Sequence, residues 1–241
     1  MSKKKNHDFK RQKHLAALRG DIIHPHEVTN RAGILTWRIF RIMAEFVDGY
    51  EFLGKLKRDV TILGSARTKP GSKYYNIAYK LGGLLAKNNY TTITGGGPGV
   101  MEAANKGAFE SGGKSLGLNI KLPAEQRLNP YVTSSMGFHF FFTRKVMLTS
   151  PSLAFVIFPG GFGTLDEFFE ISTLIQTRKM PQAPVILIGK DYWSSLHNFI
   201  KYQVLNEHEA IDYIDMKIYH IVDSAEEAIN IIKKVKRKAG Y

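Results

Sequence analysis

The sequence predicts an α/β protein built on a doubly wound, Rossmann-like parallel sheet with helices on both faces. Two observations predict it. From Asp59 onward, short apolar runs of strand length alternate with longer stretches of helical period. Small, glycine-rich turns follow three of those runs, on the sheet edge where such folds bind their ligands.

Taken in order, residues 1–32 are polar and basic with little periodicity. Leu35, Ile39, Ile42, Met43, Phe46, Tyr50 and Leu53 then recur at helical spacing. They predict one amphipathic helix from Ile34 to Leu56, whose stripe must bury against the domain or a second subunit. The chain thus divides into a basic tail with an N-terminal helix (1–58) and an α/β domain ending in a basic tail (59–241). Strands are expected at Val60–Leu63, Thr91–Thr94, Ser115–Ile120, Ala154–Phe158, Val185–Ile188 and Ile218–Val222. Helices are expected near 73–87, 99–111, 143–149, 164–177, 192–205 and 224–237.

Composition removes several function classes. There is no cysteine, which excludes disulfides, thiolate zinc sites and cysteine nucleophiles. The eight histidines form no H-x-x-x-H pair, so no metal is expected. No apolar core follows the lysine-rich start, and no apolar run approaches the roughly 18 residues of a membrane helix. A soluble, cytoplasmic protein is expected. Of the net charge of +13, eleven units lie in two tails: seven Lys/Arg against one Asp in residues 1–20, and five Lys/Arg without an acid in 231–241. Such arms can make weak contact with nucleic acid by counterion release, and a solvated tail is the simpler account.

The loops carry the chemistry. The first strand is followed by Gly64-Ser65-Ala66-Arg67, and the second by Gly95-Gly96-Gly97-Pro98-Gly99-Val100-Met101-Glu102. The fourth expected strand leads into Pro159-Gly160-Gly161-Phe162-Gly163-Thr164-Leu165-Asp166-Glu167. Glycines let a ligand approach the backbone, and the free N–H groups of the following helix favour an anion. Pro98 suits a first helical position, and Thr164 is a candidate N-cap. The dinucleotide G-x-G-x-x-G does not follow the first strand, and Gly113-Lys114-Ser115 lacks the earlier glycine of a P-loop.

Thr143 is a candidate cap for a short helix beginning at Arg144 and Lys145. Two cations there oppose the helix dipole unless an anion offsets them. Glu167 follows Thr164 with the T-x-x-E spacing of a capping box, although it also lies where a ribose would sit. Asp166, Glu170 and Glu102 are explained most simply by the dipole.

Gly95–Glu102, Arg144-Lys145-Val146-Met147 and Pro159–Glu167 resemble the LONELY GUY family, long labelled lysine decarboxylase-like, over about residues 59–222. The resemblance implies a Rossmann-like dimer or higher homo-oligomer. It also implies a phosphoribohydrolase that splits a nucleoside 5′-monophosphate into free base and ribose 5-phosphate without a cofactor. Substrates would be AMP or the riboside monophosphates of cytokinin biosynthesis. On this resemblance Arg144 and Glu167 are the catalytic pair, and Gly160, Gly161, Gly163 and Thr164 form the phosphate loop. Gly64, Ser65, Gly96, Gly97, Met101, Glu102, Lys145 and Met147 lie near the nucleotide. Gly64-Ser65-Ala66-Arg67 replaces the Gly-Ser-Ser of compact members and, with the residues before Asp59, marks the longer subgroup. Arg67 either reads an additional phosphate or forms a surface pair. The alternative function is a non-catalytic protein holding a nucleotide or phosphorylated cofactor, as molybdenum-cofactor carriers of related fold do.

Overall fold

The computed structural model describes residues 31–56, 58–121, 128–150 and 152–235. The basic segment before Arg31 and the last residues of the C-terminal tail lie outside that range. So does the expectation of nucleic-acid contact made for the N-terminal one. Among the described residues, no helix is long and apolar enough to cross a membrane.

Seven parallel strands form one sheet. They are β1 (Asp59–Leu63), β2 (Thr91–Thr94), β3 (Ser115–Ile120), β4 (Ser134–Phe138), β5 (Ala154–Ile157), β6 (Val185–Ile188) and β7 (Tyr219–Val222). Their spatial order is β4-β3-β2-β1-β5-β6-β7. The chain enters at the centre, winds outward to β4, and returns to lay β5 beside β1. That return creates a topological switch point between β1 and β5, with a crevice at their carboxyl ends.

The helices are α1 (Arg31–Leu53), α2 (Lys73–Lys87), α3 (Val100–Glu110), α4 (Phe141–Thr149), α5 (Phe162–Gln176), α6 (Lys190–Phe199) and α7 (Ala225–Ile232). β1, β2, β5 and β6 are buried along their whole length, as strands covered on both faces must be. One core packs α2, α3 and α7 against the sheet through Leu81, Leu85, Ala104 and Ile229. The other packs α4, α5 and α6 against the opposite face through Leu148, Phe168, Ile171 and Trp193.

Three expectations are corrected. The sheet has an additional edge strand, β4, so the Pro159 loop follows the fifth strand. Its sequence, SSMGF, has no apolar run, and its exposed start pairs on one side only. The helix expected over 192–205 narrows to α6 and then widens into a π-helical turn at Ile200–Glu207. The N-terminal helix forms, running Arg31–Leu53 rather than Ile34–Leu56, but among the described residues most of its stripe finds no partner: Leu35, Ile39, Met43 and Tyr50 are more than half exposed. Leu53 alone of the stripe is fully buried, while Phe46 packs partly against the core.

Candidate active site

Three loops meet over the switch point. The Ser65 N–H donates to the Pro159 carbonyl at 3.1 Å, and the Val100 N–H donates to the Ser65 carbonyl, also at 3.1 Å. Gly99 makes the second bond possible. It has φ +73°, and a methyl group there would overlap the Ser65 carbonyl. Tyr192 ties down the third loop, its hydroxyl donating to the Gly160 carbonyl at 2.7 Å.

The stitched loops enclose a cleft of about 920 Å³. Gly64, Ser65 and Arg67 line one wall, Met101 and Arg144 another. Gly160, Gly161, Gly163, Thr164 and Glu167 close it from the α5 side. Phe162 stands at this rim, 93% exposed.

Helix α5 begins two residues before the predicted start, with Gly161 as its N-cap and no side-chain cap. Its first backbone bond runs from the Leu165 N–H to the Gly161 carbonyl. The N–H groups of Phe162, Gly163 and Thr164 therefore have no partner inside the helix, which makes an anion cradle where the dipole is positive. Thr164 is not the cap. It is the third helical residue, buried, with its hydroxyl lying over Gly160. The T-x-x-E capping box consequently does not form, and Glu167 is freed from a structural explanation.

Glu167 is half-buried on the cleft wall. Burial pushes its carboxyl up to about 7, against the opposing pull of the Arg144 charge. Arg144 reaches the cleft from α4, with Nε–H donating to the Leu118 carbonyl at 2.7 Å. Burial lowers its affinity for the proton, and Glu167 partly restores it. The guanidinium fills the space beside Gly95, where a methyl group would overlap Nη2. A cation and a carboxyl that titrates near neutrality, facing one crevice beside an anion cradle, form an arrangement suited to charge-developing chemistry on a phosphorylated substrate.

Other predicted residues lie elsewhere. Lys145 Nζ sits 2.7 Å from Asp166 and 3.2 Å from Glu170. That bridge ties α4 to α5 behind the cleft and replaces the dipole reading of both acids. Met147 is fully buried and packs against Gly49 of α1. Glu102 occupies the first turn of α3 as expected and accepts a hydrogen bond from the Tyr75 hydroxyl at 3.2 Å. Gly96 and Gly97 turn their carbonyls toward Asn129 Nδ2, at 3.1 and 3.0 Å, leaving Gly95 as the glycine of that run on the cleft wall.

Sequence reasoning missed the residues that hold these loops. Buried Asn105 accepts from the Thr94 hydroxyl at 2.6 Å, and Thr94 in turn accepts from the Gly96 N–H at 2.9 Å. Asn105 was visible as an amide inside an otherwise small and apolar helical face. Thr143 was misassigned: it lies within α4, whose N-cap is Phe140, and its hydroxyl meets Glu45 from α1.

This sheet order, with its crevice at the switch point, defines an α/β protein of the Rossmann-like class. The chain belongs to the family described as "Possible lysine decarboxylase", whose model matches residues 101–232. It is 29% identical to the cytokinin riboside 5′-monophosphate phosphoribohydrolase LOG1 of Arabidopsis thaliana, over 77% of this chain and 85% of that one. It is 27% identical to the cytokinin riboside 5′-monophosphate phosphoribohydrolase of Rhodococcoides fascians, over 64% and 77%. Among solved structures it resembles TM1055, a structural-genomics target, with a TM-score of 0.57, 28% identity, and coverage of 74% of this chain and 100% of that one. It also shares its fold with the molybdenum cofactor binding protein of Rippkaea orientalis, with a TM-score of 0.58, 24% identity, and coverage of 75% and 98%.

Proposed function

We propose that this protein is a nucleoside 5′-monophosphate phosphoribohydrolase acting on AMP-type or cytokinin riboside monophosphate-type substrates. The observation that carries the reading is Glu167: a carboxyl pushed up to about 7, on the cleft wall just beyond the phosphate cradle, with no capping role. The relatives' activity supports the same reading.

The 5′-phosphate sits on the Phe162, Gly163 and Thr164 N–H groups, with Arg144 fixing the phosphate or ribose. Anchoring the sugar places its anomeric carbon near Glu167. The glycosidic C–N bond breaks with its electron pair leaving on the base, so positive charge develops on the ribose, as in glycoside hydrolysis. Ionised Glu167 stabilises that charge and accepts a proton from the attacking water. Water's oxygen bonds to the anomeric carbon, and the proton that water gave to Glu167 is passed on to the leaving base, which restores the carboxylate and gives free base and ribose 5-phosphate. The step uses no cofactor.

Chromatography of purified protein with AMP, GMP, CMP, UMP and isopentenyladenosine monophosphate tests this. Release of free base is expected from at least one of them. Retention of nucleotide by wild type without any base release would overturn the hydrolase in favour of a carrier. A second variant tests the cleft geometry. Gly95→Ala is expected to displace the Arg144 guanidinium and lower turnover about a hundredfold with little change in melting temperature. Unchanged turnover would show that Arg144 has room to spare.

The protein is proposed to work as a homodimer or larger homo-oligomer in the cytoplasm. Trp37 and Val47, 72% and 65% exposed on α1, extend the uncovered apolar surface of that helix and support self-association.

A further inference from the structure

Helix α4 carries Arg144, yet its own sequence prepares its N-terminus poorly. Phe140 is the N-cap, no side chain within the helix caps it, and its first turn holds no acid. Arg144 and Lys145 follow at once, against the helix dipole. The missing anion arrives from far away in the sequence.

Glu45 is the buried charge of α1, 8% exposed on a helix whose other faces are largely open. Its carboxylate accepts the His139 N–H at 2.6 Å and the Phe140 N–H at 3.4 Å. The Thr143 hydroxyl lies 2.5 Å from the same carboxylate, and the His139 ring Nδ1 lies 3.0 Å away. Burial alone would raise this carboxyl, but the donors from Thr143, His139 and Phe140 together hold it below its ordinary value. A second tie joins the same two elements, with the Arg38 guanidinium 5.5 Å from the centre of the Phe140 ring. The Arg144 N–H closes onto the Phe140 carbonyl at 3.2 Å, so the backbone that launches Arg144 is the backbone Glu45 holds.

We propose that Glu45 is a positioning residue for Arg144: by capping α4 from the N-terminal extension, it sets the turn from which the guanidinium enters the cleft. The extension thereby becomes part of the site's support. The effect on base release rests on the hydrolase reading above, whereas the effect on Arg144 does not.

The experiment combines a spectroscopic and a kinetic readout on the full chain. The Arg144 Nε–H resonance, identified by its loss in Arg144→Lys, is recorded in wild type and Glu45→Gln. Base release is measured for Glu45→Gln in the wild-type and Arg144→Ala backgrounds. The resonance is expected to move toward those of exposed arginines. Base release is expected to fall about tenfold in kcat in the wild-type background, and not to fall further once Arg144 is gone, because residues acting as one unit are not additive. An unmoved resonance overturns the proposal, and so does an equal loss in both backgrounds, which a merely structural role would give. Thr143→Val, which removes one donor to the same carboxylate, should show the same pattern more weakly and decides the matter if Glu45→Gln does not fold. Absence of base release from wild type would count against the hydrolase, leaving the resonance to judge Glu45.

Discussion

Glu167→Gln is expected to lower base release at least about a thousandfold and, at the same time, to stabilise the protein above neutral pH. Glutamine keeps the shape but neither accepts the water's proton nor carries the charge that opposes the developing cation. The stability effect follows from the same burial. In the unfolded chain this carboxyl ionises at its ordinary value of 4.5, while in the folded protein it holds its proton up to about 7. The folded state therefore binds the extra proton between those values. Its favourable contribution is complete below the lower one and is lost as pH rises through the upper. At pH 8 wild type carries a partly buried charge that the variant does not, a difference on the order of 2 kcal/mol after screening by the open cleft. Melting at pH 8 should thus rise by about 5 °C in Glu167→Gln, and the gap should close toward pH 5. Retained turnover would remove Glu167 from the chemistry. A gap equal at both pH values would show that its carboxyl is not raised.

The alternation of apolar runs made the central sheet legible because β5 and β6 are buried on both faces and read as continuous apolar runs, while β1 and the threonine-rich β2 are carried by β-branched residues that favour a strand. β4 escaped because an edge strand needs only one partner, and its serines face outward. The candidate site could be proposed from motifs, but motif neighbours are not spatial neighbours. Along α4 each residue turns by about 100°, so Arg144 enters the cleft while Lys145 swings to α5 and Met147 to the core. Threonine patterns suggested caps at Thr143 and Thr164. Both helices start two residues earlier, at Phe141 and Phe162, since glycine or an extended residue with outside help serves as well. The outside help, Glu45, lies 98 positions from Thr143 and had no local signature.

Arg144→Ala separates anchoring from electrostatics. Loss of the guanidinium should cost on the order of a hundredfold to a thousandfold in kcat/KM, because in the proposed mechanism both the substrate's ribose phosphate and the carboxyl opposite lose their fixed positive charge. Arg144 also opposes the burial that raises Glu167, so its removal lets that carboxyl climb above about 7. The proposed reaction needs Glu167 ionised, so kcat/KM is expected to rise with pH through that value in wild type. In Arg144→Ala the rise should move to higher pH, and the deficit should be larger at pH 7 than at pH 9. Arg144→Lys keeps a charge without the Nε–H that donates to Leu118, so it should hold the wild-type pH profile while losing positioning. A profile in Arg144→Ala that falls uniformly, with no alkaline displacement, would mean the arginine serves only as a phosphate anchor. A displaced profile would mean that it also sets the proton affinity of the Glu167 carboxyl, and that the two residues work as one coupled pair.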